Sequence, residues 1–164
     1  MKRILLAASA LLAVAAASSA MADSVNGASA TGTAGVTIFT PITVTQTQGL
    51  DFGAITSGAS GTVAIAQVSG ARTVSGGVGA IAVNVGKAGA FAVNGQSNAA
   101  INVVVGANIT GFSGGITGTT LASGLPVVLA GTSATFNVGG SLNVPANTPA
   151  GAYTGSYTVA VNYP

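Results

Sequence analysis

The 164-residue chain carries four basic and two acidic residues, with no histidine and no cysteine. That composition excludes thiol chemistry, thiolate metal sites, disulfide staples and every catalytic device that needs a histidine base. Nearly half of the residues are hydrophobic, which argues against disorder and for one domain with a packed core.

Residues 1–22 read as a secretion signal. Lys2 and Arg3 form a positive start, Ile4 to Ala17 is an uncharged apolar run, and Ala20 and Ala22 place small residues ahead of a cleavage point at Asp23. The apolar run is about 14 residues long, short of the ~20 that a spanning helix needs, so a removable leader is expected and membrane insertion of the mature chain is not. After cleavage Arg72 and Lys87 balance Asp23 and Asp51. The net charge of +2 therefore belongs to the precursor. No basic patch remains for nucleic acid, and no polybasic run for anionic lipid. A surface of Thr, Ser, Asn, Gln and Gly does little to resist self-association.

Residues 23–40 form a small, polar, glycine-containing N-terminal arm that runs into the first strand, ahead of a domain over 41–164. Within the arm Ala28, Ala30, Gly32, Ala34, Val36 and Ile38 share one face of an extended chain. Period-two runs then predict strands over 36–47, 50–55, 63–68, 78–85, 90–93, 101–105, 125–129, 134–138, 141–144 and 153–163. Turns are expected at Ser57-Gly58, Ser60-Gly61, Ser75-Gly76-Gly77, Asn94-Gly95, Gly139-Gly140 and Pro149-Ala150-Gly151. Many short strands and no amphipathic helix predict an all-β, immunoglobulin-like sandwich. Thr-x-Thr spacings at Thr31/Thr33, Thr43/Thr45 and Thr45/Thr47 resemble the threonine rows of ice-binding solenoids, but recur with no fixed period.

Strings that match catalytic motifs lack their partners. Gly111-Phe112-Ser113-Gly114-Gly115 matches a nucleophile elbow, without a histidine to activate Ser113. Asp51-Phe52-Gly53 matches a kinase triplet without the rest of the kinase set. Gly77 to Ala82 fits a dinucleotide fingerprint, but strand-like residues follow where a helix is required. Two aspartates make neither an acid–base pair nor a metal cluster. The sequence thus offers no catalytic, metal or cofactor site, and a non-enzymatic protein is expected. Asn108-Ile109-Thr110 is a glycosylation sequon with no further support.

The closing segment places Gly151, Tyr153, Gly155, Tyr157, Val159, Val161 and Tyr163 on one face and Ala152, Thr154, Ser156, Thr158, Ala160 and Asn162 on the other. With Tyr163 penultimate and Gly151 fourteenth from the end, it resembles the C-terminal signature of chaperone–usher pilins. Residues 41–58 (PITVTQTQGLDFGAITSG), 70–80, 89–95 and the closing strand together resemble the DUF4402 family of secreted bacterial β proteins, with a more distant likeness to spore-coat-U domains. The missing cysteine pair departs from many pilins.

The pilin resemblance implies a sandwich short of one strand, completed by β-augmentation from the N-terminal arm of the next subunit. Ala28 to Ile38 would be the donor face, and Gly151 to Tyr163 the strand engaged by a periplasmic chaperone before an outer-membrane usher. Like subunits would then join head to tail into an extracellular fimbria-like filament. The alternatives are a self-contained secreted or surface-coat sandwich, and an ice-binding or functional-amyloid protein.

Overall fold

The computed structural model describes residues 27–122 and 127–164. Ala20, Ala22 and Asp23, the expected cleavage residues, lie outside them. Residues 27–36 are exposed and carry no regular secondary structure. Thr37–Pro164 is a separate compact unit.

That unit is all-β. Its strands are β1 (Thr43–Gln48), β2 (Ile55–Ile65), β3 (Arg72–Ala80), β4 (Gly89–Asn94), β5 (Ala100–Val105), β6 (Asn108–Ile109), β7 (Thr117–Leu121), β8 (Val127–Val128), β9 (Ser133–Val144) and β10 (Val159–Asn162). One antiparallel sheet runs β1-β4-β9-β2-β3, with β7 also on β9 and β6 on β7; a second runs β10-β5-β8. The two sheets make a sandwich-like arrangement. Phe91, Val93, Phe136 and Val138 of the first sheet pack with Ile101 and Val103 of the second. A neighbouring cluster joins Val63, Val78, Leu142 and Val144 to Ile109 and Ile116.

Strand β9 belongs to both clusters and corrects the break expected at Gly139-Gly140. Phe136, Val138, Gly140, Leu142 and Val144 are all buried, so period two runs unbroken through the glycines. The pair is there for close approach, not for a turn. A Cβ on Gly139 would collide with the Ile65 carbonyl, and one on Gly140 would lie 2.9 Å from the Thr119 carbonyl and 3.0 Å from the Phe52 ring. Glycine without a side chain lets neighbouring backbones and rings meet over a strand.

The turns expected at Ser57-Gly58, Ser60-Gly61 and Ser75-Gly76-Gly77 are corrected too: Gly61 and Gly77 serve close approach, and Gly76 adopts a φ of 73°. These lie inside the β2–β3 ladder, which absorbs them as an irregularity between Ser57 and Gly61. Asn94-Gly95 does not form a tight hairpin. Gly95 lacks the positive φ such a turn needs, and β4 and β5 lie in different sheets. Asn98, at φ 57°, turns the connection instead.

Of the run over 36–47, only Thr43 onward is strand; of 50–55, residues 50–54 form a connection in which Asp51 makes a single bridge to Lys87, and Ile55 opens β2. The run at 78–85 is strand only as far as Ala80. The threonines Thr43 and Thr45 lie on one edge strand and pair across to Asn94 and Ala92, so no stacked rungs of a solenoid form.

Candidate strand-accepting seam

The strands β1 and β10 sit at the ends of their sheets, each hydrogen-bonded on one side only. In β1, Val44 and Gln46 pair with the buried Val93 and Phe91. Cross-strand partners share a face, so both point toward the sandwich interior. Yet Val44 remains 40 % exposed and lines an open cavity together with Val159 of β10.

The facing wall is the C-terminal segment. Its period-two reading is sound for side chains: Tyr153, Tyr157, Val159, Val161 and Tyr163 are half-buried, and the even-numbered residues are exposed. It is not one strand from 153 to 163. Only Val159–Asn162 is regular strand; upstream, Ser156 exchanges both backbone bonds with Thr110 at 2.8 Å, and the Thr158 carbonyl accepts from Gly106 at 2.8 Å. Backbone groups alternate sides along an extended chain. The peptide groups of Gly155 and Tyr157 therefore face away from these partners, toward the open edge.

Two cavities follow this edge. One of about 360 Å³ lies between Val44, Gln46, Phe91, Ser156 and Val159. The other, about 520 Å³, is walled by Phe52, Ile55, Ile109, Phe112, Leu142 and Tyr153. Both include Leu50, Gly155 and Tyr157. Gly155 is small because the Phe112 ring lies over it: an added Cβ would sit 2.7 Å from that ring. The Tyr157 ring meets Phe91 edge-on at 6.1 Å. Its hydroxyl is buried without a hydrogen-bond partner, the Gln46 side chain approaching it outside ordinary bonding geometry. Burial pushes its pKa up, against a smaller downward pull from Gln46.

The cavity wall at 52–55 is held from behind by Arg72. Its Nη1 donates to the carbonyls of Asn84 (2.8 Å), Ala54 (2.9 Å) and, more weakly, Phe52 (3.3 Å), and Nη2 donates to the Ile81 carbonyl at 2.9 Å. Asp51 completes the turn by accepting from the Gly53 N–H (2.7 Å) and the Asn84 amide (2.9 Å). The Asn84 and Gly53 bonds hold the Asp51 pKa below its usual value; burial opposes them, and Lys87 and Arg72 add smaller downward pulls. The aspartate of the kinase-like string is thus a turn cap. Ser113 lies just before a turn at Gly114-Gly115, and Gly77 to Ala80 lies in β3.

At one end the seam is closed. The Tyr163 hydroxyl donates to the Thr40 carbonyl (2.7 Å) and accepts from the Gln96 N–H (2.6 Å), while its ring meets Phe39 edge-on at 5.1 Å. Gln96 Oε1 in turn accepts from the Thr40 N–H and hydroxyl, both at 3.2 Å. Sequence reasoning placed Tyr163 on the apolar face but missed Thr40 and Gln96. No local signal marks a contact between residues 123 positions apart.

Residues 42–163 match the family model described as a domain of unknown function, DUF4402. The chain belongs to the DUF4402 family. No curated protein and no solved structure matches it. The DUF4402 match spans the seam and both of its edge strands. Of the six residues expected to form a donor face, Ala28 to Val36 precede the matched segment, as does Ile38. All six are exposed, Val36 and Ile38 each at 85 %.

Proposed function

We propose that this DUF4402 protein is an exported structural subunit, non-enzymatic, that assembles head to tail into a fimbria-like extracellular filament. Each open seam receives the N-terminal arm of another copy as an added strand. The observation that carries this reading is the seam itself: β1 and the start of β10 flank a cavity of mixed polarity that adjoins a larger, mostly apolar one, with unpaired peptide groups on the Gly155–Tyr157 side. An edge of this kind is an aggregation hazard unless something covers it. An extended segment can satisfy both needs, bonding the edge through its backbone and filling the cavities with alternate side chains.

The arm has a suitable pattern. Val36 and Ile38 would each contribute about 1.5–3 kcal/mol if fully buried, and the smaller Ala28, Ala30, Gly32 and Ala34 suit the narrow stretch beside Tyr157. Backbone bonds, at about 0.5–1.5 kcal/mol net each, add the rest. Because donor and acceptor are different surfaces, the contact does not close on itself and propagates as a filament. By the pilin resemblance, a periplasmic chaperone and an outer-membrane usher would handle the subunit in transit. Deleting residues 24–35 tests this: export and folding continue, but filaments vanish from negative-stain micrographs. Normal filaments from that deletion refute it.

A self-contained secreted or surface-coat domain is the second reading. The two apolar clusters favour it, since Thr37–Pro164 has a substantial core with no added strand. It predicts a stable monomer indifferent to any arm peptide.

A further inference from the structure

A strand-accepting seam beside β1 raises a problem of self-closure. The arm precedes β1 directly in the chain, so a simple hairpin would lay it against its own β1 edge and end assembly before it began. A tethered arm would also compete strongly, because flexible tethering gives an effective concentration of order mM.

The residues at the base of the arm oppose that hairpin. Tight two-residue hairpins need positive φ at one or both central positions. The connection Thr37-Ile38-Phe39-Thr40-Pro41-Ile42 contains no glycine or asparagine, and none of these residues adopts positive φ. Pro41 biases Thr40 toward an extended conformation through the clash of its ring with the preceding residue. The Thr40 N–H and carbonyl, which a turn would have to redirect, are already bonded to Gln96 Oε1 and the Tyr163 hydroxyl. A wider loop is a poor escape. It would consume Val36 and Ile38, leaving only alanine and glycine to fill the cavities beside Tyr157.

We propose that the Tyr163–Thr40–Gln96 junction, with Pro41, is a latch that keeps the arm out of its own seam and so directs it to a second copy of this chain. The proposal rests on the strand-accepting reading above and adds to it a reason why donation is intermolecular. Tyr163 acts here as a positioning residue: its hydroxyl fixes the path of the chain, and its ring packs on Phe39 and the edge of the core.

The test uses a fluorescent peptide covering residues 24–40, titrated into mature chain at nanomolar dilution, where mass photometry reports monomer. The comparison chain is Val36→Asp with Ile38→Asp. Both positions are exposed, so this chain keeps its fold but has a disabled arm. With the latch in place, the two chains bind peptide with Kd values within about twofold. Binding to the natural chain that is tenfold or more weaker would mean that its own arm occupies the seam, and the latch is overturned while strand acceptance survives. Opening the latch with Tyr163→Phe and Pro41→Gly is expected to weaken peptide binding at least tenfold, with the protein still monomeric. An unchanged Kd in that chain also overturns the proposal. Failure of the peptide to bind even the disabled-arm chain sinks strand acceptance itself, and the latch with it.

Discussion

Replacing Arg72 tests whether the seam wall is held as described. Its guanidinium joins two turns, 52–54 and 81–84, to β3 through backbone carbonyls. Nη1 has two protons and three acceptors, so the 3.3 Å contact to Phe52 is the shared, weaker one. Three well-formed bonds remain. Hydrogen bonds from a charged donor contribute roughly 1.5–3 kcal/mol each, but the Ile81 bond is exposed and water can replace it. Counting the two part-buried bonds near the low end gives a loss of about 3 kcal/mol for Arg72→Ala. Arg72→Lys keeps the charge but cannot span both turns from one ammonium, and should lose about half as much. Urea unfolding followed by circular dichroism reads this directly: with a slope near 2 kcal/mol per M, the alanine midpoint falls by about 1.5 M. The same chain should bind the arm peptide more weakly, because Phe52 to Ile55 line the larger cavity. An alanine variant within about 1 kcal/mol of the natural chain refutes the wall-holding role.

Tyr157→Phe removes a buried hydroxyl that has no partner and should leave stability unchanged or raise it by up to about 1 kcal/mol; a clear loss in urea titration would mean that the hydroxyl is bonded in solution. The raised Tyr157 pKa also has a pH signature. The folded state favours the neutral phenol, so its stability is fully present below the unfolded pKa of about 10 and is lost as pH rises through the higher folded value. Tyr157→Phe should flatten that alkaline decline. Asp51 runs the other way: its lowered folded pKa makes its contribution present above the ordinary carboxyl value of 3.8 and lost as pH falls through the folded value. In Asp51→Asn the acid-side slope from this group should disappear, and an unchanged slope would assign it elsewhere.

The all-β class and the two faces of the closing segment were legible in the sequence, because period two reports a half-buried extended chain whatever its neighbours are. Glycine was the source of most errors. Gly61, Gly139 and Gly140 serve close approach inside strands, and a lone sequence cannot distinguish that use from a turn. The unbroken spacing from Phe136 to Val144 was the available clue, since a true turn between two strands seldom preserves register. Alternation also overstated strand length at 36–42 and 153–158. Apart from the bridge of Ser156 to Thr110 those residues carry no strand, because a strand requires neighbours, and pairing depends on residues far away in the chain. The seam could be anticipated only through resemblance. Its walls combine Phe52, Phe112 and Tyr153, which come together through the fold alone.

The most direct test of strand acceptance is size-exclusion chromatography with light scattering on residues 23–164, with and without excess peptide covering residues 24–40. Strand acceptance predicts oligomers or an unstable subunit alone, and a stable one-to-one complex of monomer and peptide when peptide is present. A stable monomer that ignores the peptide would contradict it and leave the self-contained coat domain as the reading to pursue.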